Sequence, residues 1–230
     1  MSAVLMEEKS TSTSLSAEFL AVFAKACYLK VYHSEANKYE TAQEALTNWA
    51  REYGYEDDIS GWTTIKVNNK DESAVGDAWA GFSAVAYKNE QTKEIIIAYR
   101  GTDSPLDAII SDAQLAFNLT PQQAAPAVEF FEEIAENADN GGYSITITGH
   151  SLGGALAQYV ASLKHVPAVT FNAPGVDVPS GGTIENIINY VNMNDPVGSY
   201  REHIGETRYY IADGMYADSK INLNSLKLAA

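Results

Sequence analysis

Along the first third of the chain, apolar residues fall at helical spacing: Phe19, Leu20, Phe23, Ala26, Cys27 and Val31 predict an amphipathic helix. The Ser/Thr-rich stretch before it, Ser10 to Ser14, reads as part of a loose terminus over residues 1–15. Thr41, with Glu44 three residues on, forms a capping-box pair that opens a second helix, and Gly54 is its stop. Two apolar runs follow, around Gly81 to Tyr87 and from Glu94 to Tyr99. The polar stretch Asn89–Lys93 separates them, so they predict two paired strands.

Past Tyr99 the pattern alternates between strand and helix. Ala127, Val128, Phe131, Ile134 and Ala135 mark a helix ending near Gly141-Gly142, and Tyr143 to Thr148 is β-rich. Leu152, Ala155, Leu156, Tyr159, Val160 and Leu163 form a second helical stripe, and Ala168 to Phe171 and Ile184 to Val191 read as buried strands. Helix-length insertions between strands require crossovers, which give a mostly parallel central sheet with helices on both faces, an α/β fold. With no internal repeat and no linker, residues 1–230 read as one domain.

The segment Gly149-His150-Ser151-Leu152-Gly153 lies between a predicted strand and a predicted helix. Gly-x-Ser-x-Gly in that context is a nucleophile elbow: a tight turn lifts the serine hydroxyl clear of the sheet. Gly149 and Gly153 remove side chains that would collide around it. The helix beginning at Leu152 points its free amides and positive dipole end at the reacting centre.

Composition narrows the classes. Hydrophobic residues are 46% and charged residues 20%, a globular balance. The net charge of −15 opposes binding led by phosphate contacts, so nucleic acid and anionic membrane surfaces are not expected partners. Cys27 is the single cysteine, in an apolar helical stretch, and reads as packing. No Cys/His cluster points to zinc, and no cofactor is expected. No apolar run approaches the roughly 20 residues a membrane span needs. Glu7 and Glu8 come where a leader would have its apolar core, so cytoplasmic placement or leaderless secretion is expected.

Four blocks, in order, resemble the class 3 lipases, which include the fungal triacylglycerol lipases and many bacterial lipases and phospholipases. They are Ile96 to Thr102, ending Arg-Gly-Thr; Thr148 to Ala157, around Ser151; Thr170-Phe-Asn-Ala-Pro-Gly175; and Asn194-Asp195-Pro196-Val197. The resemblance implies an α/β-hydrolase fold with an N-terminal helical segment and a short lid region. It implies an oxyanion hole made by the amides of Thr102 and Leu152. Thr102 also reads as a capped turn after a strand. Residues 103–115 match the position of a fungal lid, with Leu106, Ile109 and Ile110 as a greasy face for transient lipid-interface contact through 104–111. The same residues also read as an ordinary amphipathic helix.

In this fold the triad order is Ser, then Asp or Glu, then His. Asp195, after a buried-looking strand, takes the acid's place by resemblance, against a plain Asp-Pro turn. Of the four histidines, His33 belongs to the first helical region and His150 precedes the nucleophile with its side chain turned away. His165 sits at a helix C-terminus, where the dipole favours it. Only His203 follows Asp195, and it is the candidate base. Yet His203-Ile-Gly205 resembles an earlier, non-catalytic pair of the family, and Asp218 stands where some relatives have the late histidine. Three readings stay open: His203 serves after a local rearrangement, the base is missing, or the chain is a lipase-like protein without efficient turnover. The leading expectation is a carboxylic ester hydrolase of lipase or phospholipase A type acting on a lipid or small ester, with no stable partner. The rival is a non-catalytic, lipase-like binding or signalling protein.

Overall fold

A computed structural model describes residues 14–28, 32–33, 38–39, 41–69, 82–101 and 121–211. Thr102, the 103–115 segment and Asp218 lie outside them. Helix α1, Ala17–Ala26, starts at Ser16, whose hydroxyl accepts the Phe19 amide, and ends at Cys27. The two-residue strands β1, Tyr32–His33, and β2, Lys38–Tyr39, pair antiparallel, so His33 is in a strand and not in the first helix. Helix α2, Ala42–Tyr53, carries the expected capping box of Thr41 and Glu44, and ends at Gly54 in the left-handed conformation, φ 76°.

A seven-stranded sheet follows, ordered β3-β4-β5-β6-β7-β8-β9. Its strands are β3 Trp62–Asn69, β4 Ser83–Asn89, β5 Glu94–Tyr99, β6 Ser144–His150, β7 Ala168–Phe171, β8 Ile187–Asn192 and β9 Glu206–Tyr210. β3, β4 and β5 pair antiparallel, and β5 through β9 are parallel. Helix α3, Pro121–Gly141, connects β5 to β6, and α4, Leu152–Lys164, connects β6 to β7. These are the crossovers that parallel pairing requires.

Strand side chains alternate between two cores. Ile96, Ala98, Val169, Phe171 and Tyr190 face a cluster with Phe19, Leu20 and Phe23 of α1 and Leu46 of α2. Ile95, Ile97, Tyr99 and Ile147 face the other side, with Phe130, Phe131 and Ile134 of α3 and Leu156, Tyr159 and Val160 of α4. Both faces are dry, which is why β5 reads as a continuous apolar run and not as an alternation.

The expected strand from Ile184 begins instead at Ile187, and Ile184 is exposed. β3 and β9 were not legible. Ile65 and Val67 of β3 and Tyr209 of β9 face solvent, so neither strand carries a buried apolar stripe. They are the two outermost strands of the sheet.

Candidate active site

β6 runs into α4 with one residue between them. That residue is Ser151, at φ 54° and ψ −131°. A non-glycine residue held there costs about 1–3 kcal/mol and persists only where its surroundings over-determine it. They do so here. The Ser151 amide donates to the Phe171 carbonyl of β7 (3.0 Å), and its own carbonyl accepts the Gly154 and Ala155 amides (2.9 and 3.2 Å). Neighbouring glycines admit the close approach. A Cβ on Gly149 would stand 2.4 Å from the Gly153 carbonyl oxygen, and one on Gly154 would stand 2.5 Å from the Ala173 Cβ.

Leu152 opens α4, so its amide has no acceptor within the helix and points out of the positive end. Gly101, just past β5, passes alongside: a Cβ there would be 3.1 Å from the Ser151 Cβ and 2.7 Å from the His150 carbonyl oxygen. The end of β5 is thereby brought against the elbow. Ser151 is 3% exposed, and its buried Oγ has no hydrogen-bond partner among the described residues. No described imidazole therefore lies within hydrogen-bond reach of it.

Asp195 sits just past β8, on the same edge of the sheet as Ser151. Its Oδ1 accepts the Val197 and Gly198 amides (2.8 and 3.2 Å), and its own amide donates to the Asn192 carbonyl (2.9 Å). Burial raises its carboxyl above the ordinary range, and the two amides pull the other way.

His203 hydrogen-bonds neither Ser151 nor Asp195 among the described residues. It precedes β9, whose first residues pair with the start of β8. Its Nε2 donates to the Ala173 carbonyl (2.8 Å), which puts the proton of the neutral ring on Nε2. The next residue, Ile204, donates its amide to Gln158 Oε1 (3.0 Å), about two turns into α4, and Asn189 Nδ2 donates to the Ile204 carbonyl (2.8 Å). Burial pushes the imidazole below its ordinary value, with the Ala173 bond opposing. The structure brings Ser151, Leu152 and Asp195 to one edge, and holds His203 along the flank of α4.

The other histidines are accounted for. His150 Nδ1 pairs with the Tyr28 hydroxyl (2.8 Å), so its ring turns to the α1 side, as expected from its place before the nucleophile. His165 is the left-handed C-cap of α4, φ 56°. Sequence reasoning missed Tyr28 and Asn172. Asn172 lay inside a recognised block, but nothing in the pattern marked its contacts.

A family model described as a Tle-like phospholipase domain matches residues 31–192, well over half of the chain. The chain belongs to the Tle-like phospholipase family. This Tle-like chain is 33% identical over 107 residues to an uncharacterized protein of Rickettsia prowazekii, covering 41% of this chain and 28% of that one. It is 36% identical over 107 residues to an extracellular phospholipase A1 of Serratia liquefaciens, covering 46% of this chain and 31% of that protein. The matches thus span less than a third of these curated relatives. In structure the Tle-like chain is similar to a lipase from Rhizopus microsporus var. chinensis, with a TM-score of 0.58, 17% identity, and 90% of this chain and 78% of that one covered. It is also similar to the Rhizomucor miehei lipase solved as a propeptide complex, with a TM-score of 0.54, 15% identity, and 93% and 78% covered. At such identities the likeness establishes the fold: the chain has the α/β-hydrolase fold, with a mostly parallel sheet.

No helix among the described residues is long and apolar enough to cross a membrane. Nor do the described residues gather three or more His, Cys, Asp or Glu side chains that could hold a metal ion.

Proposed function

We propose that this protein is a carboxylic ester hydrolase of the lipase or phospholipase A type, with Ser151 as its nucleophile. The observation that carries the reading is the strained backbone of Ser151, one residue long, between β6 and α4 in a chain of this family. Strain of this kind gathers at functional sites, and an elbow there sets the hydroxyl in front of the first amides of a helix.

In the proposed reaction the Ser151 Oγ adds to the ester carbonyl carbon while a base takes its proton. Negative charge develops on the former carbonyl oxygen and meets the Leu152 amide, with Thr102 as second donor. The base returns the proton to the departing alcohol, leaving an acyl-Ser151 ester. Water then adds and gives its proton to the base, which passes it to the Ser151 Oγ as the acyl C–O bond breaks and the carboxylic acid leaves. Asp195 is the acid that steadies the base. His203 is the candidate base: in that role its ring leaves the Ala173 carbonyl and carries its proton on Nδ1, so that the bare Nε2 accepts the Ser151 proton.

The second reading, a lipase-like binding protein, draws on the absence of an imidazole beside the Ser151 Oγ among the described residues. A fluorophosphonate probe separates the two. Labelling of the folded protein that disappears in Ser151→Ala, with release of p-nitrophenol from graded esters or fatty acid from phospholipid, supports the hydrolase. Absence of both labelling and release supports the binding protein.

A further inference from the structure

The last residues of β7 join the two halves of the candidate site. Phe171 accepts the Ser151 amide through its carbonyl (3.0 Å). The next residue, buried Asn172, leaves the strand in the left-handed conformation, φ 46°. Its amide donates to the Tyr190 carbonyl of β8 (2.8 Å). Its side-chain Oδ1 accepts the Asn192 amide (2.9 Å) and the Tyr210 hydroxyl of β9 (3.1 Å). The Asn192 carbonyl accepts the Asp195 amide, and the Asn192 side chain accepts the Asn194 amide (2.9 and 3.1 Å), so the turn carrying the carboxylate grows out of the residue Asn172 holds. Gly198, one of the two amides on the Asp195 carboxylate, lies directly over Asn172. A Cβ on it would be 3.2 Å from the Asn172 Cα.

Glycine would adopt this backbone with less strain. Asparagine brings a side-chain acceptor, Oδ1, and both donors that oxygen serves belong to the ends of the two strands beyond β7. Oδ1 of Asp195 is committed to backbone amides, and its Oδ2 makes no hydrogen bond among the described residues. Anything that fixes the turn therefore fixes where the remaining oxygen points.

We infer that Asn172 is a positioning residue: it locks the Asp195 turn to the same strand end that anchors Ser151, and so sets the carboxylate relative to the nucleophile. Tyr210 shares in this clamp. Its hydroxyl is pushed up to about 12, by burial first, with the Asp195 charge adding to the effect, which places the two groups within electrostatic reach of one another. The inference rests on the hydrolase reading above.

The test is Asn172→Gly, which accepts the left-handed backbone and deletes the side-chain acceptor with its amide group, beside Tyr210→Phe, which deletes one donor. Steady-state hydrolysis of a p-nitrophenyl ester is measured where melting curves place each protein fully folded. The expected result is a kcat lowered about 10- to 100-fold in Asn172→Gly, the scale of a small misplacement of a reacting group, with KM within about twofold. A smaller loss in the same direction is expected in Tyr210→Phe, and fluorophosphonate labelling should slow in step with kcat. If the parent protein neither labels nor hydrolyses, the hydrolase reading falls and takes this inference with it. If the parent is active and the variants keep its kcat, or change only KM or melting temperature, the positioning role alone is overturned. Should Asn172→Gly fail to fold, Tyr210→Phe carries the same test.

Discussion

The α-carbon of Gly153 rests against the carbonyl of Tyr99: a methyl group there would stand 2.1 Å from that oxygen and 2.6 Å from the Arg100 carbonyl carbon. Both obstacles are backbone, so no side chain can swing aside. Gly153→Ala must push the first turn of α4 away from the end of β5, and overpacking of this kind costs about 1–3 kcal/mol, occasionally more. The expected outcome is a lowered urea midpoint together with slowed probe labelling of Ser151. Normal stability with normal labelling would show that the two elements need not touch.

Ser151 holds a backbone that suits glycine better, and its hydroxyl is buried without a partner among the described residues. Both features oppose stability. Ser151→Gly is therefore expected to raise unfolding free energy by about 1–3 kcal/mol, the cost of such a conformation in a residue with a Cβ. Ser151→Ala relieves only the unpartnered hydroxyl, worth about 1 kcal/mol. Chemical denaturation of the three proteins checks the order Gly, then Ala, then Ser. A parent more stable than Ser151→Gly would mean that the elbow is not strained.

His203 can be separated into its two possible duties by His203→Gln, which keeps a donor for the Ala173 carbonyl and does not titrate. Below the ordinary imidazole value of 6.5, the unfolded chain takes up a proton at His203 that the folded chain refuses until a lower pH. The parent protein's stability from this group is therefore complete above that value and is lost as pH falls toward the depressed one. Asp195 has the opposite sign. Its carboxyl is raised by burial, so its contribution is present below the ordinary 3.8 and lost as pH rises through the raised value. Denaturation of both proteins from pH 7.5 to pH 5 should show a shallower acid loss in His203→Gln.

Turnover of that same variant addresses the base. If His203 takes the Ser151 proton, kcat falls about 10³-fold or more while the fold persists. Unchanged turnover would leave His203 as a clamp between the Ala173 carbonyl and α4.

Far from the site, Thr41 accepts the Glu44 amide (3.2 Å) while Glu44 accepts the Thr41 amide (2.8 Å). Thr41→Ala is expected to cost about 1 kcal/mol, a typical N-cap loss, with labelling of Ser151 unaffected. Thermal melts beside the probe assay decide it. A labelling defect would tie α2 to the site through the core cluster that Leu46 shares with Phe171.

Local chemistry was enough to place much of this molecule. The capping box at Thr41, the stop at Gly54, the polar turn after Asn89 and the glycines flanking Ser151 each act within a few residues, so their meaning is written in the chain. The parallel sheet followed from helix-length insertions between strands, which require crossovers. β3 and β9 escaped because edge strands bury little and leave no periodic stripe. The order of residues likewise nominated His203 as base, since it alone follows Asp195. Sequence order, however, carries no information about what a loop packs against. Only the folded chain put His203 beside Gln158, and turned Asn172 so that one oxygen holds the ends of two other strands, because such contacts form between segments tens of residues apart and are fixed by strand register, not by spacing.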